Sequence, residues 1–323
     1  MEYGYVPGID KPISRLVQGS MMVGSARLEE SFQLLDAIHG MGCNTFDTAH
    51  VYGGGDVERT FGRWIRERGL RDKIVILGKG AHHNVDRQRV TPYDITSDLH
   101  DSLARFQFDY IDLYLLHRDD PSQPVGPIVE ILNEHKQAGL INAFGGSNWT
   151  AERVQAANAY AAEHGLVGFA ASSPNFSLAV QVKPPWENCV SIGGPQGQGE
   201  RRWYEETQFP LFTWSSLAGG FFSGRFSREN LSEKEEYFDK LVVDSYAVEE
   251  NFQRLDRVQE LAAEREMTVP QVAMAYVMNA PMNIFALIGS RTAEEFAANM
   301  RASAVRLTPA EMAWLELRSD ERD

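Results

Sequence analysis

The sequence predicts an α/β protein whose eight parallel strands close into a (β/α)8 barrel, the TIM-barrel architecture. Three observations carry this. Short apolar or β-branched runs alternate with helix-period stretches along nearly all of the 323 residues. The runs are apolar almost throughout, as in strands covered on their outer face by helices. There are eight of them, where an open doubly wound sheet would show about five to seven. Barrels of this length form one domain. No linker, internal repeat or low-complexity tract divides the chain, so residues 1–323 are read as a single domain.

The elements follow in order. Residues 3–6 and 11–14, around Pro7-Gly8, form a short hairpin-like lead-in. The predicted strands are residues 16–20, 43–47, 73–79, 110–117, 141–147, 168–172, 211–215 and 284–289. Amphipathic segments lie between them at 28–39, 57–66, 94–106, 128–137, 152–162 and 248–263, the first with Leu28, Phe32, Leu35 and Ile38 on one face. Thr91-Pro92 and Thr150 supply helix-start signals. A helix carrying Glu295 and Asn299 follows the last strand, and a C-terminal helix closes the chain. The stretches 181–203, rich in Pro, Gly and Gln, and 225–247, rich in charge, break the rhythm. Both follow strands and should rise over the C-terminal face of the barrel, where active sites gather.

Composition narrows the function. At 43% apolar and 24% charged the chain is ordinary globular protein. Cys43 and Cys189 offer no disulfide framework, and Cys43, opening a strand, reads as a small buried hydrophobe. No apolar run of about 20 residues and no basic-then-apolar leader is present, so the expectation is a cytoplasmic protein. The net charge of −14 repels nucleic acid and anionic membranes. A phosphate-bearing ligand would therefore need a local positive site.

Four polar residues stand at or just past the ends of successive apolar runs. Asp47 closes the second, Tyr52 lies in the loop after it, Lys79 closes the third and His117 the fourth. In a barrel these ends converge at one mouth. Lys79 on a buried strand needs a partner, and Asp47 on the neighbouring strand is the natural one. An ammonium beside Tyr52 should lower its phenol pKa. His117 can hydrogen-bond a substrate oxygen. Together they suit protonation of the alkoxide that develops when hydride adds to a carbonyl.

These residues sit in wider motifs. The run Phe46-Asp47-Thr48-Ala49-His50-Val51-Tyr52-Gly53-Gly54-Gly55, continuing to Glu58 and Gly62, resembles the signature of the aldo-keto reductases. Asp112-Leu113-Tyr114-Leu115-Leu116-His117-Arg118 resembles that family's histidine strand, and Gly145-Gly146-Ser147-Asn148 its Ser-Asn pair. The resemblance runs from about Leu16 to Asn299. It implies an NADPH-dependent carbonyl reductase with Tyr52 as general acid and His117 polarising the carbonyl. Lys79, paired with Asp47, would tune Tyr52, while Ser147 and Asn148 would grip the nicotinamide carboxamide. Gly19, Ser20 and Met21 would floor the ribose and nicotinamide alongside Asp47.

No Rossmann fingerprint accompanies this. Gly40-Met41-Gly42 precedes a strand and has Thr45 where a third glycine belongs, so it reads as a helix stop. In barrels phosphates are held after the seventh and eighth strands. The first of these loops runs from Trp214 through Ser215, Ser216, Leu217 and Gly219 to Arg225. Its small residues allow amides to cradle a pyrophosphate. The second, Gly289-Ser290-Arg291-Thr292, opens a helix and supplies the required positive site. By resemblance Ser290 and Arg291 hold the 2′-phosphate, Glu295 and Asn299 approach adenine, and Trp214 stacks on nicotinamide. Ser173 stands where the family often has Gln and is too short to reach the carboxamide. Gly78 stands where a small hydroxyl residue is usual, which should loosen packing.

Other features point less sharply. His82-His83 should splay apart in an extended loop and lacks a third ligand at metal spacing, so no metal is expected. Asp119 and Asp120 can receive sugar hydroxyls or lie solvated. Trp149, Trp186, Trp203 and Phe222 are expected on the top-face loops, where such rings line carbohydrate or apolar carbonyl pockets equally well, and sugar-like or polar carbonyl compounds are the substrates expected. A glycosidase is disfavoured, because Asp47 alone among the acids ends a strand. The alternative to a reductase is a nicotinamide-sensing regulatory subunit that turns over little.

Overall fold

The structure is a computed structural model that describes residues 1–322. The lead-in is an antiparallel hairpin, β1 (Tyr3–Gly4) against β2 (Ile13–Ser14). Among the described residues, eight parallel strands then close into a barrel. They are β3 (Leu16–Gly19), β4 (Thr45–Asp47), β5 (Val75–Gly80), β6 (Ile111–Leu116), β7 (Ile141–Ser147), β8 (Ala171–Ser173), β9 (Leu211–Thr213) and β10 (Ile284–Ile288), with β10 returning to β3. Every run read as a strand overlaps one of them.

The helices are α1 (Leu28–Gly40), α2 (Asp56–Arg68), α3 (Pro92–Phe106), α4 (Val125–Gln137), α5 (Ala151–Glu163), α6 (Gln198–Thr207), α7 (Tyr237–Tyr246), α8 (Glu249–Glu264), α9 (Val269–Asn279), α10 (Ala293–Ser303) and α11 (Pro309–Leu315). Thr91 and Thr150 cap α3 and α5 as their sequences predict, accepting from the amides of Asp94 and Arg153. Two corrections concern the irregular stretches. The first, 181–203, enters α6 at Gln198, and the second, 225–247, contains α7, which turns Val242, Ser245 and Tyr246 inward. Helix α9 escapes a reading by helical period because Val272 to Val277 are all buried. A helix apolar on every side has no stripe to detect.

Strand alternation builds two apolar layers. In β6, Leu113 and Leu115 face the lumen, whereas Tyr114 and Leu116 face the helices. The lumen also receives Val6, Ile9 and Ile13, so the lead-in plugs the N-terminal end of the barrel. Asp112 locks the plug in place. Its fully buried carboxylate accepts from Lys11 Nζ and Arg71 Nη1, each at 2.8 Å, and from the Ile76 amide at 2.9 Å. No helix among the described residues is long and apolar enough to cross a membrane.

With one end plugged, the C-terminal mouth is the open one. The expected loosening at Gly78 is absent. A Cβ there would already meet Ile111 Cδ1 at 3.2 Å, so the Ile111 side chain fills the space.

Candidate active site

Register brings the predicted tetrad together. Asp47 pairs with Leu77, and Lys79 lies two residues beyond Leu77, so both side chains face the lumen. Lys79 pairs with Leu115, and His117 lies two beyond that, also facing inward and one step higher. Lys79 Nζ donates to Asp47 Oδ1 and, at 3.0 Å, to the Thr48 carbonyl. The same Nζ lies 5.3 Å from the centroid of the Tyr52 ring. Tyr52 stands in a short helical turn after β4 and meets the His117 ring edge-on at 5.8 Å. Asp47, Lys79, Tyr52 and His117 thus form a continuous chain of contacts.

Burial dominates the electrostatics. It lifts the Asp47 carboxyl and pulls the Lys79 ammonium down, each opposed by its partner. The His117 imidazole is driven well below its ordinary value by burial and then by the charges of Lys79 and Arg118, so it stands neutral. The phenol of Tyr52 differs from the sequence expectation. Burial, then the Asp47 carboxylate, raises it, and Arg118 opposes. Lys79 cannot act as a free positive charge on the phenol because it is paired with Asp47.

The neighbours of the tetrad bring further corrections. His82 and His83 do not splay, their ring centroids being 4.3 Å apart, and His82 meets His117 edge-on at 4.9 Å. Burial pulls the His82 imidazole down to about 4. Asp119 is neither solvated nor free for a sugar hydroxyl. It takes a bidentate pair from Arg153 at 2.9 and 3.0 Å, while Asp120 accepts from Ser122. Of the four expected top-face aromatics, Trp149 and Phe222 are fully buried and Trp203 packs on α6 against Phe209. Trp186 alone is exposed, its Nε1 donating to Tyr237 Oη at 3.1 Å.

The residues expected at a cofactor gather on the same mouth. The strands β9, β10 and β3 are consecutive in the barrel. Half-buried Gly19 closes β3, and after it come buried Ser20, whose Oγ donates to the Asp47 carbonyl, and exposed Met21. After β9, Trp214 is half-buried with its Nε1 enclosed and unpartnered. Ser215, Ala218, Gly219 and Gly220 then hold positive φ, from 53° to 109°. Such a run turns successive amides to one side, as an anion nest does. Ser216 is buried, Leu217 half-buried, and Arg225 pairs with Asp239 at 3.0 Å.

After β10, a side chain on Gly289 would meet nothing nearer than Met22 Cε at 3.8 Å. Ser290 is buried and accepts from Asn299 Nδ2 at 3.4 Å. Arg291 is exposed, and among the described residues it has no ion-pair partner. Its amide donates to the Glu295 carboxylate at the start of α10. An enclosed indole N–H, an amide nest and an unpaired arginine at a helix N-terminus suit an aromatic, phosphate-bearing ligand.

The Ser-Asn pair after β7 is already engaged. Ser147 Oγ donates to the Ser173 carbonyl at 3.0 Å, and Asn148 Nδ2 to the His117 carbonyl at 3.1 Å. Asn148 Oδ1 accepts from the Val190 amide.

Sequence reasoning missed two groups here. Gln18 Nε2 donates to the Ser290 carbonyl at 3.1 Å, tying β3 to the loop after β10; an amide interrupting an apolar run was its signal. Arg118 is buried beside His117, and only its place after a strand-ending histidine pointed to it.

The fold is that of a solved structure, a thermostable aldo-keto reductase in complex with the inhibitor epalrestat. The TM-score is 0.74 at 21% identity, over 99% of this chain and 100% of that one. A Saccharomyces cerevisiae protein provisionally named an aryl-alcohol dehydrogenase is 27% identical over 92% of this chain and 78% of its own length. Norsolorinic acid reductase B of Dothistroma septosporum is 26% identical over 94% and 78%. The model of the aldo/keto reductase family matches residues 15–317. With that match over nearly its whole length, the chain belongs to the aldo/keto reductase family.

Proposed function

We propose that the protein is an NADPH-dependent reductase of aldehydes or ketones, with Tyr52 as the proton donor. The contact chain from Asp47 through Lys79 and Tyr52 to His117 carries this reading. Ser290 and Arg291 would hold the 2′-phosphate and the nest at 215–220 the pyrophosphate. Trp214 would lie against the nicotinamide, and Gly19, Ser20 and Met21 beneath it. Glu295 and Asn299 would approach the adenine, and Ser147 and Asn148 the carboxamide. Bound NADPH would supply the hydride to the carbonyl carbon.

The chain's own residues do the rest. Neutral His117 can donate a hydrogen bond to the carbonyl oxygen without competing for the proton. The raised phenol of Tyr52 keeps its proton at neutral pH until charge develops on that oxygen. An alkoxide is a stronger base than a phenolate, so the transfer then runs downhill. Lys79, held by Asp47, lies against the Tyr52 ring, and the Arg118 charge, which opposes the rise of the phenol, favours the phenolate left behind.

Aryl carbonyl compounds are the class that the name of the Saccharomyces cerevisiae relative favours. The sugar-like reading loses part of its support, because Asp119 is committed to Arg153 within the chain. The test follows the loss of reduced-nicotinamide absorbance with NADPH and a panel of aryl aldehydes, aryl ketones and aldoses, with Tyr52→Phe as control. Turnover that vanishes in the control supports the reading. Tight NADPH binding with no turnover on any carbonyl overturns it in favour of a nicotinamide-sensing subunit.

A further inference from the structure

Arg118 is 4% exposed and directly follows His117. Among the described residues no carboxylate pairs with it. Nη1 donates to the His117 carbonyl at 2.9 Å, Nε is enclosed without an acceptor, and Nη2 has none either. Three nearby acids are paired with other cations, Asp47 with Lys79, Asp98 with Arg89 and Asp119 with Arg153, and Asp120 accepts from Ser122 instead of Arg118. Among the described residues the surroundings offer no other anion. His82 and His117 are neutral, and Cys189, half-buried in the loop over the mouth, has its thiol raised by burial.

An arginine is never deprotonated in a protein, and a buried charge without a counterion is strongly unfavourable. Such a group is retained where a ligand completes it. Nε is sealed from solvent, so the donor left for a ligand is Nη2, which can give one charge-assisted hydrogen bond to a carboxylate oxygen. The position is beside the residues proposed to handle the carbonyl oxygen. The guanidinium charge reaches Tyr52, Lys79 and His117 alike.

We infer that Arg118 is a specificity-determining residue that binds a carboxylate on the carbonyl substrate, so that the preferred substrates are oxo-acids. This rests on the reductase reading. A carboxylate one or a few bonds from the reacting carbonyl would sit on Arg118 while the carbonyl oxygen meets Tyr52 and His117. An overall charge of −14 repels anions at a distance. Selection of an acid substrate therefore depends on this local cation.

The test compares acids with their methyl esters. Benzoylformate, 2-carboxybenzaldehyde and succinic semialdehyde are each assayed beside the ester, with wild type, Arg118→Gln and Arg118→Lys. The wild type is expected to favour the acids in kcat/KM by about tenfold or more, mainly through KM. The acid-to-ester ratio should collapse in Arg118→Gln and be partly kept in Arg118→Lys. Equal use of acids and esters by the wild type, or a ratio unchanged in Arg118→Gln, overturns the inference.

Benzoate binding to the NADPH-loaded protein, measured by calorimetry, separates this from the reductase reading. If no carbonyl is turned over, the reductase reading fails, yet benzoate affinity lost in Arg118→Gln still supports the anion site. Benzoate affinity equal in both proteins overturns it.

Discussion

Lys79 and Asp47 form a buried ion pair across neighbouring strands, and the Lys79 ammonium also lies 5.3 Å from the Tyr52 ring centroid. The pair joins the stability of the barrel mouth to its chemistry. Neither charge has another ionic partner among the described residues, so removing one leaves the other stranded.

Asp47→Asn should therefore cost stability as well as activity. The expected loss is about 3–5 kcal/mol, the range for breaking a buried pair by removing one member. Urea unfolding of the variant beside the wild type checks this. An unchanged midpoint would mean that the pair is relaxed by water.

Tyr52→Phe removes the proposed proton donor and leaves the ring in place. Turnover should fall about 10²–10⁴-fold, with the Kd for NADPH unchanged. Single-turnover kinetics and cofactor fluorescence read the two quantities separately. A variant with wild-type kcat would remove Tyr52 from the mechanism.

Arg291→Ala tests the phosphate site. A charge-assisted contact to the 2′-phosphate predicts that the NADPH-to-NADH ratio of kcat/KM drops about tenfold or more, through NADPH alone. If both cofactors weaken equally, Arg291 supports the loop and does not read the phosphate.

Asp112→Ala strikes the plugged end, far from the mouth. Lys11, Arg71 and the Ile76 amide would lose their shared acceptor. Stability should fall by about 3 kcal/mol or more with kcat retained in the folded fraction. Loss of kcat without loss of stability would contradict the separation of the two ends.

The buried His117 and half-buried His82 imidazoles predict acid sensitivity. His117 and His82 titrate in the folded protein below the ordinary value of about 6.5, His82 at about 4. The unfolded chain then binds protons that the native state does not. The stability from these groups is whole above about pH 6.5 and is lost as pH falls towards their folded values. The drop in Tm between about pH 7 and about pH 5 should be smaller in His82→Gln than in wild type. Equal drops would show that His82 is not held neutral.

The barrel was legible because its signals are local. A run such as Leu113 to Leu116, apolar on both faces, declares a buried strand without reference to any partner, and Thr91 and Thr150 announce helix starts by their own chemistry. Helix α9 was hidden for the opposite reason, since burial on all sides erases the period. The tetrad was legible because strand ends carry polar residues to one mouth. Its electrostatics were not, because the phenol of Tyr52 responds to enclosure and to the Asp47 charge, which adjacency to a lysine does not reveal. His82 and His83 show the same limit: beside their tilted ring contact, the edge of His117 against His82 joins parts of the chain that the local sequence does not bring together.

The sequence by itself determined the strand and helix order, the family resemblance and the identity of the polar groups at the mouth, because periodicity, capping and strand-end position are properties of the local chain. Only the tertiary structure decided which charges cancel. It paired Asp119 with Arg153, Asp112 with Lys11 and Arg71, and Asp47 with Lys79, while Arg118 was left without a counterion among the described residues. Pairing joins residues from different strands and loops at distances of a few ångströms. Coulomb energy and desolvation both vary steeply over that scale, and the order of residues along the chain does not specify it.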